Sequence, residues 1–267
     1  VCPRAEEPMA RCVLQWLMIA SLCAGTVWAA DDPFVGKWKL DPTKSRLSDQ
    51  MKVAAAGANR YAFDFGSGTP ETIIADGTDQ PGQFGTTLAV TVLAPDAWKV
   101  IRKKDGKLML TGNWKLSADG TELTDTYRAN RPDGTITSLD YVYTREGHGT
   151  GFVGTWVSTS EKVNSSYEIA VEPYQGDGLS FVNAAQKSTR SLKFDGKDYL
   201  VHGPNLPQDY ASSGRRLSER RLELTEKVGS RVIDTQRVEV SADGRTLTMS
   251  VQPAGTKKPN VMVFNRE

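Results

Sequence analysis

From Arg60 onward, apolar and polar residues alternate along most of the chain. Tyr61, Phe63 and Phe65 interleave with Ala62 and Asp64, the period of a half-buried strand. The pattern predicts further strands over Thr72–Ala75, Thr86–Leu93, Trp98–Lys103, Leu108–Leu116, Glu122–Arg128 and Thr137–Arg145. Asp76-Gly77, Pro95-Asp96, Asp105-Gly106, Asp119-Gly120 and Asp133-Gly134 separate them. Asp-Gly between alternating segments is a strong hairpin signal, because both residues tolerate positive φ. Strands this short and this close leave no room for helical crossovers, so the expectation is an antiparallel meander. Upstream, Asp41–Ser45 reads as a turn-rich break, and Val53–Ala56 fits a short helix ended by Gly57.

The pattern occurs twice. Phe34-Val35-Gly36-Lys37-Trp38 returns as Phe152-Val153-Gly154-Thr155-Trp156, 118 residues later. Asp195-Gly196-Lys197-Asp198 answers Asp76-Gly77-Thr78-Asp79, and Ser241-Ala242-Asp243-Gly244 answers Ser117-Ala118-Asp119-Gly120. Val263–Glu267 answers Val142–Glu146. Landmarks in one order at nearly one offset indicate an internal duplication. The units are 32–146 and 152–267, with 147–151 as the linker. A meander of seven to nine strands removes its two exposed edges by closing on itself. The expected fold is therefore all-β, two tandem antiparallel up-and-down β-barrels, with an open sandwich as the alternative. Trp38 and Trp156 are the expected core plugs, with Gly36 and Gly154 admitting close neighbours.

Residues 1–29 read as a signal peptide with an upstream extension before Met9. Arg11, an apolar run from Cys12 to Val27, and small residues before a cut between Ala29 and Ala30 fit that reading. An uncleaved anchor is the alternative. Leu22 before Cys23 argues against lipidation. The expected location is periplasmic or secreted, without stable membrane insertion after cleavage. All three cysteines (Cys2, Cys12, Cys23) fall in this leader, which leaves no thiol chemistry or disulfide for the rest.

Charge excludes further classes. The chain carries 33 basic and 32 acidic residues, and neither half is a polyelectrolyte, so no nucleic-acid partner is expected. Gly149-Thr150-Gly151-Phe152-Val153-Gly154 spells a dinucleotide fingerprint, but a strand follows where the phosphate-binding helix should start. With two histidines, His148 and His202, a three-histidine zinc site is impossible, and no Gly-x-Ser-x-Gly elbow accompanies His202. Asp76/Asp79 and Asp195/Asp198 lack calcium-loop spacing. No cofactor, metal or catalytic residue is expected. Arg215–Arg221 is balanced by Glu219, Glu223 and Glu226 and reads as a solvated hairpin.

Phe34-Val35-Gly36-Lys37-Trp38-Lys39-Leu40 resembles the opening strand of lipocalins and intracellular fatty-acid-binding proteins, which begin with glycine-x-tryptophan. The Ala-Asp-Gly-x-x-Leu-Thr hairpins and Tyr143-Thr144-Arg145-Glu146 are similar too. The chain is closer to exported bacterial lipocalin-like proteins, and Phe194–Tyr199 resembles a recurrent motif of that group. The resemblance implies calycin-type barrels that hold a small ligand. Fatty-acid-binding proteins clamp a carboxylate with an arginine two residues before a tyrosine. Here Tyr141 stands at the arginine position before Tyr143, and the second half has Met262 and Phe264, so the clamp is missing twice.

Any cavity is expected in the first half. Trp98 and Arg102 share one strand face, Leu108, Leu110 and Trp114 another, and Tyr127 and Tyr141 offer phenols that could orient a ligand. The alternative is that these side chains simply fill the barrel. The resulting expectation is a non-enzymatic, exported binding protein for a small apolar or amphipathic molecule. Its rival is an extracytoplasmic module with solid barrels that binds a protein or glycan. A hydrolase is a third reading, which requires two carboxylates converging in one cleft. An interior void of roughly 300 Å³ separates the first two.

Overall fold

The computed structural model describes residues 32–66, 68–256 and 258–267. The expected leader, its cleavage site and the three cysteines lie outside the described residues. Among the described residues, twenty strands form two antiparallel sheets of ten. In chain order they begin with β1 (Gly36–Leu40), β2 (Gln50–Gly57), β3 (Arg60–Asp64), β4 (Glu71–Ile74), β5 (Gln80–Pro81), β6 (Thr86–Ala94) and β7 (Ala97–Lys104). Next come β8 (Lys107–Leu116), β9 (Glu122–Asn130), β10 (Ile136–Glu146), β11 (Gly154–Val163), β12 (Glu168–Tyr174), β13 (Gly178–Asn183) and β14 (Ser188–Leu192). The last six are β15 (Tyr199–Leu200), β16 (Tyr210–Ser218), β17 (Arg221–Val228), β18 (Arg231–Val240), β19 (Thr246–Pro253) and β20 (Asn260–Arg266). No helix among the described residues is long and apolar enough to cross a membrane.

The two halves of the sequence repeat are not the two barrels. One sheet runs β4-β3-β2-β11-β10-β9-β8-β7-β6-β5 and the other β14-β13-β12-β1-β20-β19-β18-β17-β16-β15. Each half therefore lends its opening strand to the other. β11 lies between β10 and β2, with Trp156 opposite Met51 and Arg145. β1 lies between β20 and β12, with Trp38 opposite Ile169 and Arg266. The segment 147–151, read from the sequence as the linker, belongs to the β10–β11 hairpin loop. The chain passes between barrels at 41–49 and 164–167 instead.

Local chemistry accounts for most elements. Val53–Ala56 is strand, not helix, because Met51 and Val53 are buried on one side of β2 while Lys52 is exposed. Backbone ladders to β3 and β11 override the helical preference of three alanines. Both barrels close at their free edges by different means. Thr189 and His202 exchange backbone hydrogen bonds of 2.9 and 3.1 Å. In the other barrel the Gln80 side chain substitutes for a peptide, accepting from Ile74 N–H (2.9 Å) and donating to Ile74 C=O (2.7 Å).

The repeated motif builds the same plug twice. Trp38 and Trp156 are fully buried, and their indole N–H groups donate to Phe34 O (2.8 Å) and Phe152 O (2.9 Å). Arg266 and Arg145, from the strands beside them, each lie 4.2 Å from the indole ring centroid. The glycines make room for these guanidinium groups. A Cβ at Gly36 would sit 2.5 Å from Arg266 Nη1, and one at Gly154 would sit 2.9 Å from Arg145 Nη1. Their φ angles of +147° and +153° also disfavour any side chain.

Candidate functional site

Side chains two apart on a strand share a face, so the inward rows of β7 to β10 converge inside the first barrel. They line a cavity of about 300 Å³ that opens to solvent. Val100 and Arg102 come from β7, Leu110, Gly112 and Trp114 from β8, Asp125 and Tyr127 from β9, and Tyr141 and Tyr143 from β10. Asp49, in the inter-barrel segment, and Met51 on β2 complete the far wall.

Four of the five residues singled out from the sequence, Arg102, Trp114, Tyr127 and Tyr141, line this space. Trp98 does not. It is 4% exposed and stacks on Phe152 at 4.1 Å, which makes it part of the packed core. Leu108 also leaves the expected face. A bulge at Arg102/Lys103 places Leu110 opposite Arg102 but Leu108 opposite Lys103, and Leu108 is exposed. The sequence reading missed Asp49, Asp125, Gly112 and Tyr143. Asp125 had left a signal, a carboxylate in the inward row between Leu123 and Tyr127.

Among the ionisable groups one ion pair is matched within the wall, and of the two aspartates only Asp125 keeps an oxygen without a partner. Arg102 is bonded to both oxygens of Glu71 (3.0 and 2.8 Å) and to Thr86 Oγ1 (2.7 Å), so its charge is matched within the wall. Asp49 accepts a 2.6 Å hydrogen bond from the Tyr143 hydroxyl, yet burial holds its pKa above the usual carboxylate range. Asp125 is 7% exposed, and its Oδ1 has no hydrogen-bond partner. Burial, reinforced by the Asp49 charge and opposed by a hydrogen bond from Trp114, pushes its pKa up to about 7. Burial likewise raises the three phenols, Tyr127 to about 12 and Tyr141 and Tyr143 further, so they stay neutral donors at ordinary pH.

A stability prediction follows for Asp125. With its folded pKa above its unfolded value, the protonated form favours folding fully below about pH 4. That contribution fades as pH rises through about 7. Asp125→Asn removes the titration. The variant should gain about 2–4 kcal/mol relative to wild type between pH 4 and pH 8. Urea midpoints at pH 4.5, 6 and 8 measure this difference. A constant gap across that range would show that Asp125 does not titrate in this window.

The second barrel has its own cavity of about 300 Å³ with different chemistry. Matching strand order and register align the two walls residue by residue. Trp114 faces Asp125 as Val238 faces Met249. Tyr127, Tyr141 and Tyr143 correspond to Val251, Met262 and Phe264, and Asp49 corresponds to Tyr167. The wall ion pair survives with its charges reversed. Arg190 and Glu226, 2.6 Å apart, occupy the positions of Glu71 and Arg102. Ser212 donates to Glu226 at 2.9 Å, and Arg190 also bonds Gln236 at 3.0 Å. The duplication thus left two cavities of similar size, one with a matched arginine–glutamate pair and one in which two aspartates stand among phenols.

Comparison of the chain with protein-family models, curated proteins and solved structures returns no match.

Proposed function

We propose that this chain is an exported, lipocalin-like binding protein that holds a small amphipathic molecule inside the first barrel. The observation that carries the reading is a cavity of about 300 Å³, open to solvent on one side, with aromatic walls and a few convergent polar groups. That is the general form of small-ligand sites, at the lower end of their size range. The solid barrels expected of a protein- or glycan-binding module are not what these walls resemble. The glycine-x-tryptophan strands support the lipocalin-like assignment, and the leader pattern supports export.

Native mass spectrometry of the protein isolated gently from its own source is the test. An added mass that leaves on denaturation is expected. A bare mass, together with no change in tryptophan fluorescence across a panel of small amphiphiles, would remove the binding reading.

Asp49 and Asp125 in one cavity also favour a second reading, acid–base hydrolysis, since raised carboxyl pKa values are what a general acid needs. Turnover of model glycosides or esters that vanishes in both Asp49→Asn and Asp125→Asn would support it. Absence of turnover across such a panel would exclude those substrate classes.

A further inference from the structure

We propose that the first-barrel cavity recognises a small organic ammonium ion, an amine with an aromatic or apolar body. This rests on the binding reading above and adds the charge of the ligand. The decisive feature is the mismatch inside the cavity. Asp125 is more than nine-tenths buried, lines the space, and keeps Oδ1 without a partner. A buried acceptor left unpaired destabilises the fold, the more so when charged, unless something else supplies the donor. No described residue of the lining can do so as a cation. Arg102 is the one basic side chain there, and Glu71 on β4 holds it by two bonds. Arg128, on the other face of β9, is paired with Asp140 at 3.3 Å.

The second barrel supplies the contrast. Glu226 also has an oxygen without a partner, Oε2, but Arg190 neutralises the carboxylate through Oε1 at 2.6 Å. The first cavity instead places a second acid, Asp49, on the wall with Asp125 and provides no matching positive charge. Around them stand Trp114, Tyr127, Tyr141 and Tyr143, whose ring faces attract cations and accept an apolar body. An ammonium group in this space would pair with the Asp125 carboxylate, restore charge balance, and leave the phenols to hydrogen-bond or stack. A ligand carboxylate would meet two acids instead, which agrees with the missing fatty-acid clamp. A metal ion fits less well, because no cluster of three or more acidic, histidine or cysteine ligands occurs among the described residues.

The test compares ligands of one shape and different charge. Binding of 2-phenylethylamine, 2-phenylethanol and 3-phenylpropionate to the full chain is followed by Trp fluorescence and calorimetry. The amine is expected to bind with 1:1 stoichiometry and at least tenfold more tightly than the other two. Its affinity should fall several-fold from pH 8 to pH 5.5, as Asp125 becomes protonated, while that of the alcohol stays level. Asp125→Asn should lower amine affinity at least tenfold and spare the alcohol. The pH series in wild-type protein decides the matter if that variant does not fold. Equal binding of amine and alcohol at every pH would overturn the ammonium proposal and keep the binding reading. So would preferential binding of the carboxylate, or binding of the alcohol alone. No binding of any of the three at 1 mM would overturn the proposal, and the mass measurement would then decide the binding reading separately.

Discussion

Replacing Trp38 by alanine should destabilise the barrel built almost entirely from the other half of the chain. Trp38 lies 38 residues into the sequence, but it is buried among Ile169, Val171, Leu222, Val240 and Phe264. The substitution removes a fully buried indole, its hydrogen bond to Phe34 O and the surface on which Arg266 stacks. A cost of about 3–5 kcal/mol is expected for a large-to-small change at such a site. Trp156→Ala should cost a similar amount in the opposite barrel, where Trp156 packs with Met51, Val53 and Tyr143. Hydrogen exchange distinguishes the two. Trp38→Ala should release amides in β12–β20 and leave β2–β11 protected, and Trp156→Ala should do the reverse. Loss of protection in the variant's own half would contradict the exchanged strands.

Cleaving the chain in the exposed 147–151 loop should leave a stable two-fragment complex. A protease site inserted beside His148 would give one piece ending after β10 and another beginning with β11. Parting them requires β11 to leave β10 and β2, and β1 to leave β12 and β20. Phe34, Trp38, Phe152 and Trp156, all buried, would be stripped from their cores. The fragments should co-elute at the intact size in native buffer and separate only in denaturant. If each half kept its own opening strand, a cut there would release two independent barrels of half the size. Elution at half size would therefore refute the exchange.

The candidate site was only partly legible. Arg102, Trp114, Tyr127 and Tyr141 could be found because alternation marks a face and those residue types stand out on it. Trp98 follows the same alternation, but it lies where Phe152 arrives from the exchanged hairpin and is covered. Leu108 was misplaced by a bulge that leaves no mark in a two-residue period. Asp49 could not have been identified at all. It sits 76 residues from Asp125, just before the Val53–Ala56 stretch that reads as a helix, so no strand face could be assigned to it.

The sequence alone determined the strand periods, the Asp-Gly turns, the duplication and the all-β class. Each of these follows from local sterics and from which side chains must leave water. Tertiary structure alone decided which copy of the glycine-x-tryptophan strand closes which barrel. Phe34–Trp38 and Phe152–Trp156 present nearly the same inward residues, and the ladder that seats them is made of backbone groups common to every strand. Either copy therefore suits either edge, and the paths of 41–49 and 164–167 carry each to the opposite barrel. The lining of the first-barrel cavity, from Asp49 to Tyr143, comes wholly from the first half, and β11 closes the sheet between β2 and β10. The chemistry of the site is thus written in the residues of one half, and the crossing of the chain supplies the strand that completes the sheet around it.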